Sequence, residues 1–177
     1  MQAVIVYESV YGNTREIAEA VAEGVRSAEP EASVSCVPVA EAGQDVTRSA
    51  DLLVVGGPTH MHGMSSGLSR RMAKPAGPTG HAAHTAGAPH EPEAGGPGLR
   101  SWFHDLPKTE TGTHAAAFDT RAGFRMSGGA ANGIARRLTQ HRYDVTVEPE
   151  GFVVEDAEGP LRAGELDRAR AWGAGLV

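Results

Sequence analysis

The chain has 177 residues, 40% of them hydrophobic, with 22 acidic against 16 basic side chains and a formal net charge of -6. That apolar content suits one domain spanning 1–177 with a single core, and the acidic balance excludes a nucleic-acid binder, which needs clustered lysine and arginine to neutralise phosphates. One cysteine, Cys36, excludes an intramolecular disulfide framework and a cysteine-based zinc site. No stretch reaches the ~18 apolar residues of a membrane span, and the cytoplasm is the expected compartment.

A first strand is predicted over Ala3-Val4-Ile5-Val6-Tyr7, delivering Glu8-Ser9-Val10-Tyr11-Gly12-Asn13-Thr14 to the start of a helix. The first turn of a helix has unpaired N–H groups and a partial positive charge, and an anion satisfies both. Ser9, Asn13 and Thr14 offer short side-chain donors, and Gly12 lets the backbone come close to a ligand. No lysine or arginine lies between Glu8 and Thr14, so these donors are neutral. The absence of a Gly-Lys-Ser/Thr ending argues against a nucleoside triphosphate, and the absence of G-x-G-x-x-G argues against a dinucleotide. A monophosphate is the anion that remains. The plainer reading of the same residues is a capping box formed by Asn13 and Glu16.

Ile17, Val21 and Val25 recur at i, i+4, i+8, which predicts an amphipathic helix from Asn13 to about Ala28. Val34, Cys36 and Val37 give a weaker second strand closed by Pro38, with Cys36 as a core residue rather than a nucleophile. Ala50 to Val55 reads as a strand buried on both faces and runs into Gly56-Gly57-Pro58. After it come Thr59-His60-Met61-His62-Gly63, a turn at the carboxyl edge of the sheet, where ligands of open α/β sheets bind. His60 and His62 at i, i+2 lack a nearby carboxylate or cysteine, so the pattern favours packing on a ring over a metal site.

A helix begins at Leu68 to Met72. About 75–98 is then dense in Gly, Pro, Ala and His, too poor in large apolar side chains to offset its ordering entropy, and reads as a mobile insertion. Leu99, Trp102, Phe103 and Leu106 resume a helical stripe. His114 to Phe118 is the fourth strand, ending at Asp119-Thr120-Arg121. Ala130, Ile134 and Leu138 give the next helix, with Ser127 as its cap. A last strand over Val145, Val147 and Phe152-Val153-Val154 is interrupted near Pro149, and a final helix from about Ala163 turns Leu166, Ala169, Trp172 and Leu176 to the core. Alternation of strands and helices predicts an α/β fold with an open parallel sheet and helices on both faces.

Ser9-x-x-Gly12-Asn13-Thr14 directly after the first strand resembles the FMN-phosphate loop of flavodoxins, and Gly-Gly-Pro58-Thr59 looks like the opening of their second flavin loop. The resemblance implies a doubly wound five-stranded sheet of order 2-1-3-4-5. It also implies FMN as cofactor, held by 9–14, by 58–63 (Pro58, Thr59, His60, Met61, His62, Gly63) and by Phe118, Asp119, Thr120 and Arg121. Receiver domains share that strand order but need an aspartate where this third strand ends in Gly56-Gly57, so a phosphorylation role fails. The third loop departs from the flavodoxin pattern: Asp119-Thr120-Arg121 and Phe124 stand in place of a Gly-x-Gly-Asp turn and a stacked tyrosine, and the second loop has no tryptophan.

Three functions follow. The resemblance favours a flavoprotein of electron transport, passing electrons between redox partner proteins whose basic surfaces an acidic chain would attract. An FMN-dependent oxidoreductase that reduces quinones with NAD(P)H shares the fold, as does a flavin-free binding module. Arg121 carries a further expectation. A guanidinium facing the ring would stabilise an anionic reduced flavin and raise its potential, whereas one paired with Asp119 would not.

Overall fold

The computed structural model describes residues 1–60, 63–64, 98–109, 112–123, 129–156 and 158–177. Met61, His62, the helix expected at Leu68 to Met72, the insertion up to Pro97, Phe124 and Ser127 lie outside the described residues.

Strand β1 (Gln2–Tyr7) leads to α1 (Asn13–Ala28), β2 (Ser33–Pro38), the short α2 (Gln44–Arg48), β3 (Leu52–His60) and β4 (Gly63–Met64). Then follow α3 (Leu99–Asp105), β5 (His114–Ala122), α4 (Ala130–Gln140), β6 (Asp144–Val145), β7 (Glu150–Val154) and α5 (Glu165–Ala174). The sheet runs β2-β1-β3-β5 with parallel neighbours. Both β6 and β7 lie parallel to β5, one beside His114-Ala115 and the other beside Phe118 to Ala122, so together they are one interrupted fifth strand. Counted that way the order is 2-1-3-4-5, as the resemblance implies. β4 turns back antiparallel on the end of β3.

Side-chain alternation along the strands sorts the core into two layers. From β1, Ala3, Ile5 and Tyr7 join α1 and α5 on one face, while Val4 and Val6 join α3 and α4 on the other. The apolar stripe of α1, Ile17, Val21 and Val25, is wholly buried. Leu99, Trp102, Phe103 and Leu106 pack on the second face as the helical spacing predicts, and the Trp102 indole donates to the Ala42 carbonyl at 2.7 Å.

Several elements differ in extent from their sequence reading. β3 continues through Gly56-Gly57-Pro58-Thr59 to His60 instead of turning at the glycines. Those glycines are there for space: a Cβ on Gly56 would strike the Phe118 ring, and one on Gly57 would come within 2.6 Å of Leu99 Cδ1. β5 likewise runs on to Ala122, so Asp119, Thr120 and Arg121 are strand residues with fixed directions. α2 is too short for a periodic signal and is missed by the sequence reading. α1 and α5 approach until their backbones touch, because a Cβ on Gly24 would meet the Arg170 carbonyl and one on Gly173 the Val21 carbonyl. Cys36 is half-buried at the margin of the core, and burial, with the Glu19 charge adding to it, pushes its thiol up to about 12.

Candidate functional site

The carboxyl ends of β1, β3 and β5 lie side by side, with Tyr7 beside Gly56 and Pro58 beside Thr120 in the ladder. A cavity of about 230 Å³ opens there. Its walls are Val10, Tyr11, Asn13 and Thr14 from the first loop, Pro58 and Thr59 from β3, and Thr120, Arg121, Ala122 and Val154 from the far strands. Residues singled out in three separate stretches of sequence thus line one cavity at the expected edge.

In the first loop Gly12 takes φ 94°, a left-handed conformation that costs other residues strain, and it is the N-cap of α1 with no side-chain capping bond. The capping-box alternative therefore does not form. Ser9, which is buried, accepts from the Gly12 N–H at 3.1 Å and so shapes the turn. Thr14 lies inside the first turn of α1, and its Oγ1 is 2.7 Å from Oγ1 of Thr120, both residues being buried. Two hydroxyls carry two hydrogens and their mutual bond uses one, which leaves one donor for a ligand. The Asn13 amide turns outward and donates to the Glu158 carbonyl at 2.9 Å.

A second polar group forms on the opposite face of β5. Asp119 is wholly buried; its Oδ2 accepts from the Ala131 N–H at 2.9 Å at the start of α4. The Thr59 hydroxyl accepts from the Ala130 N–H at 2.9 Å and also hydrogen-bonds Asp119. Two side chains from neighbouring strands therefore accept from the first N–H groups of this helix. Arg121 Nε stands 3.5 Å from Asp119 Oδ1, and its guanidinium lies over Gly151 and Gly129, where any Cβ would strike it. Burial raises the Asp119 pKa despite the hydrogen bonds from Ala131 and Thr59 and the Arg121 charge that oppose the shift. Arg121 therefore has the ion pair with Asp119 and also lines the cavity, from β5 and not from a solvated loop.

Phe118 does not line the cavity. It is wholly buried beneath it and meets Phe152 and Trp172 edge to face, with ring centroids 6.1 and 6.2 Å away. His60 ends β3 opposite Gly63 of β4. The sequence reading missed Ala122 and Val154 as wall residues, and also Glu158 and Gly159, which reach Asn13. The Gly159-Pro160 pair was a turn signal, but nothing in it said which element the turn would meet.

A family model described as a flavodoxin domain matches residues 4–70. No curated protein matches the chain significantly. Among solved structures, a flavodoxin from the domain Archaea is 19% identical with a TM-score of 0.64, covering 99% of this chain and 96% of its own. Oxidised Flavodoxin 1 from Bacillus cereus gives 15%, 0.66, 99% and 97% on the same measures, and the flavodoxin of Streptococcus pneumonia TIGR4 gives 16%, 0.67, 99% and 97%. At these identities the likeness shows the fold: the chain is flavodoxin-like from end to end, and the family match covers the first two site loops in sequence.

Proposed function

We propose that the chain binds FMN at this cavity and serves as a flavodoxin-type redox protein, carrying electrons between partner proteins. The observation that carries the reading is the cavity itself. The first turn of α1, a φ-positive glycine and a buried hydroxyl pair converge on it from β1 and β5, beside the opening of the second loop. This donor set fits a phosphomonoester, since first-turn N–H groups and neutral hydroxyls hydrogen-bond its oxygens without a metal or a lysine. Bound FMN would supply one- and two-electron redox chemistry. The chain's part is to hold the phosphate through 9–14 and Thr120, and to place the ring against 58–63 and the end of β5 at Arg121 and Ala122. At that end Arg121 lines the cavity while paired with Asp119.

FMN should bind well ahead of riboflavin, which lacks the phosphate, and ahead of FAD, because the first loop is a single neutral-donor phosphate loop suited to a monophosphate. Flavin titration followed by absorbance checks both, and equal affinity for FMN and riboflavin would refute the reading. One observation favours a second reading, a flavin-free binding module: Thr14 and Thr120 bond each other, and Asn13 bonds Glu158, so these side chains have protein partners without a phosphate. Protein that stays colourless after exposure to FMN selects it. Oxidation of NAD(P)H by the isolated flavoprotein would instead select a reductase.

A further inference from the structure

The last strand does not run straight into the last helix. After β7 the chain doubles back, with Val154 bridged antiparallel to Leu161. The Arg162 N–H donates to the Val153 carbonyl and the Glu155 N–H to the Pro160 carbonyl, each at 2.9 Å. A Gly159 N–H bond to the Asp156 carbonyl, 3.1 Å long, closes the tip. At its base Val154 lines the cavity together with Tyr11, Asn13 and Thr14.

The tip meets the first turn of α1. Asn13 Nδ2 donates to the Glu158 carbonyl, and Gly159, at φ 107°, lies so close that a Cβ on it would be 2.5 Å from Asn13 Oδ1. The Tyr11 phenol is raised in pKa, first by burial and then by the Glu158 charge, which sets the tip beside both neighbours of Gly12. This contact answers a structural need. The N-terminal turn of a helix holds only part of its own hydrogen bonds and frays unless capped, and Gly12 brings no side-chain cap.

We propose that the turn carrying Glu158 and Gly159 is a positioning element of the phosphate site, acting through Asn13: by holding that side chain it fixes the first turn of α1 in the geometry a phosphate needs. The site then stands on four strand ends, not the three whose loops the sequence singles out. The inference rests on the FMN reading above. Its physical content is preorganisation: a turn already fixed in the free protein need not be ordered by the ligand.

The test compares FMN and riboflavin titrations of the wild-type chain, Gly159→Ala, Asn13→Ala and the double variant. Gly159→Ala places a methyl against the Asn13 amide and should weaken FMN about tenfold or more while leaving riboflavin unchanged. Asn13→Ala should do the same, and the double variant should lose no more than either single one, because both act through one contact. Amide hydrogen exchange of the Asn13→Ala apoprotein gives a readout that needs no flavin: exchange in the first turn of α1 should quicken relative to the rest of the helix. Equal losses for both flavins, no loss, additive losses or unchanged exchange overturns the proposal. Wild-type protein that binds FMN no better than riboflavin overturns the FMN reading itself, and does so before any variant is compared.

Discussion

Thr14 and Thr120 show how a side chain in a binding loop can be a structural member at the same time. Thr14→Val keeps the volume but leaves the buried Thr120 hydroxyl without its 2.7 Å partner, and an unpaired buried polar group costs about 1–3 kcal/mol. Urea unfolding should show that loss, and the double variant Thr14→Val with Thr120→Val should recover most of it, since neither orphan remains. A capping role for Thr14 would instead predict a loss that the second substitution does not repair. Arg121 and Asp119 make a pH-dependent case. The folded state holds the Asp119 proton more tightly than the unfolded chain does, so this group's contribution is most favourable below the ordinary carboxylate range and declines as pH rises through its folded pKa. Arg121→Gln removes the cation that offsets the buried carboxylate, and breaking such a pair is worth roughly 3 kcal/mol. Denaturation at neutral pH should show that cost, and the difference between the two proteins should shrink as acid protonates Asp119. A difference that does not vary with pH would mean that Arg121 contributes packing and not charge.

At the scale of elements, periodicity was a good guide where a single face decided the outcome. The stripe Ile17, Val21 and Val25 places α1 at Asn13–Ala28, and Pro38 closes β2 where expected. The interruption near Pro149 is real and splits the last strand into β6 and β7. Periodicity failed where tertiary contacts set the outcome. Gly56 and Gly57 read as a turn because glycine usually marks one, yet they extend β3 because Phe118 and Leu99 occupy the space a side chain would need. The site was legible in the same uneven way: its residue types and edge position follow from strand–loop–helix order, whereas the Thr14–Thr120 bond, the Asp119–Thr59 cap on α4 and the hairpin against Asn13 join residues far apart in sequence. The contact of α1 with α5 gives a prediction of this kind. Gly24→Ala improves helix propensity by up to about 1 kcal/mol, but its methyl strikes the Arg170 carbonyl, and overpacking against backbone should reverse the sign, for a net loss of roughly 2 kcal/mol in thermal or urea unfolding. A stabilised variant would show that the two helices can part at little cost.

For the whole molecule, the charge of -6 bears on partners before contact is made. Basic acceptor proteins should be reduced by the flavin-loaded chain at rates that fall as salt is added, because screening shortens the reach of the field to about 10 Å at 0.1 M. A rate indifferent to salt would remove charge from partner choice. Packing has its own consequence at this scale, and it is one of timing. Glu23 of α1 pairs with Arg170 of α5 across 147 positions at 2.7 Å, and the cavity that begins at Val10 is completed by Val154. During synthesis the loop that lines the site leaves the ribosome well ahead of the residues that brace it. Until then the inner face of α1 has no partner helix, and the loop lacks its far wall. A nascent chain halted before 150 would therefore have the first loop of the cavity and not the wall that faces it.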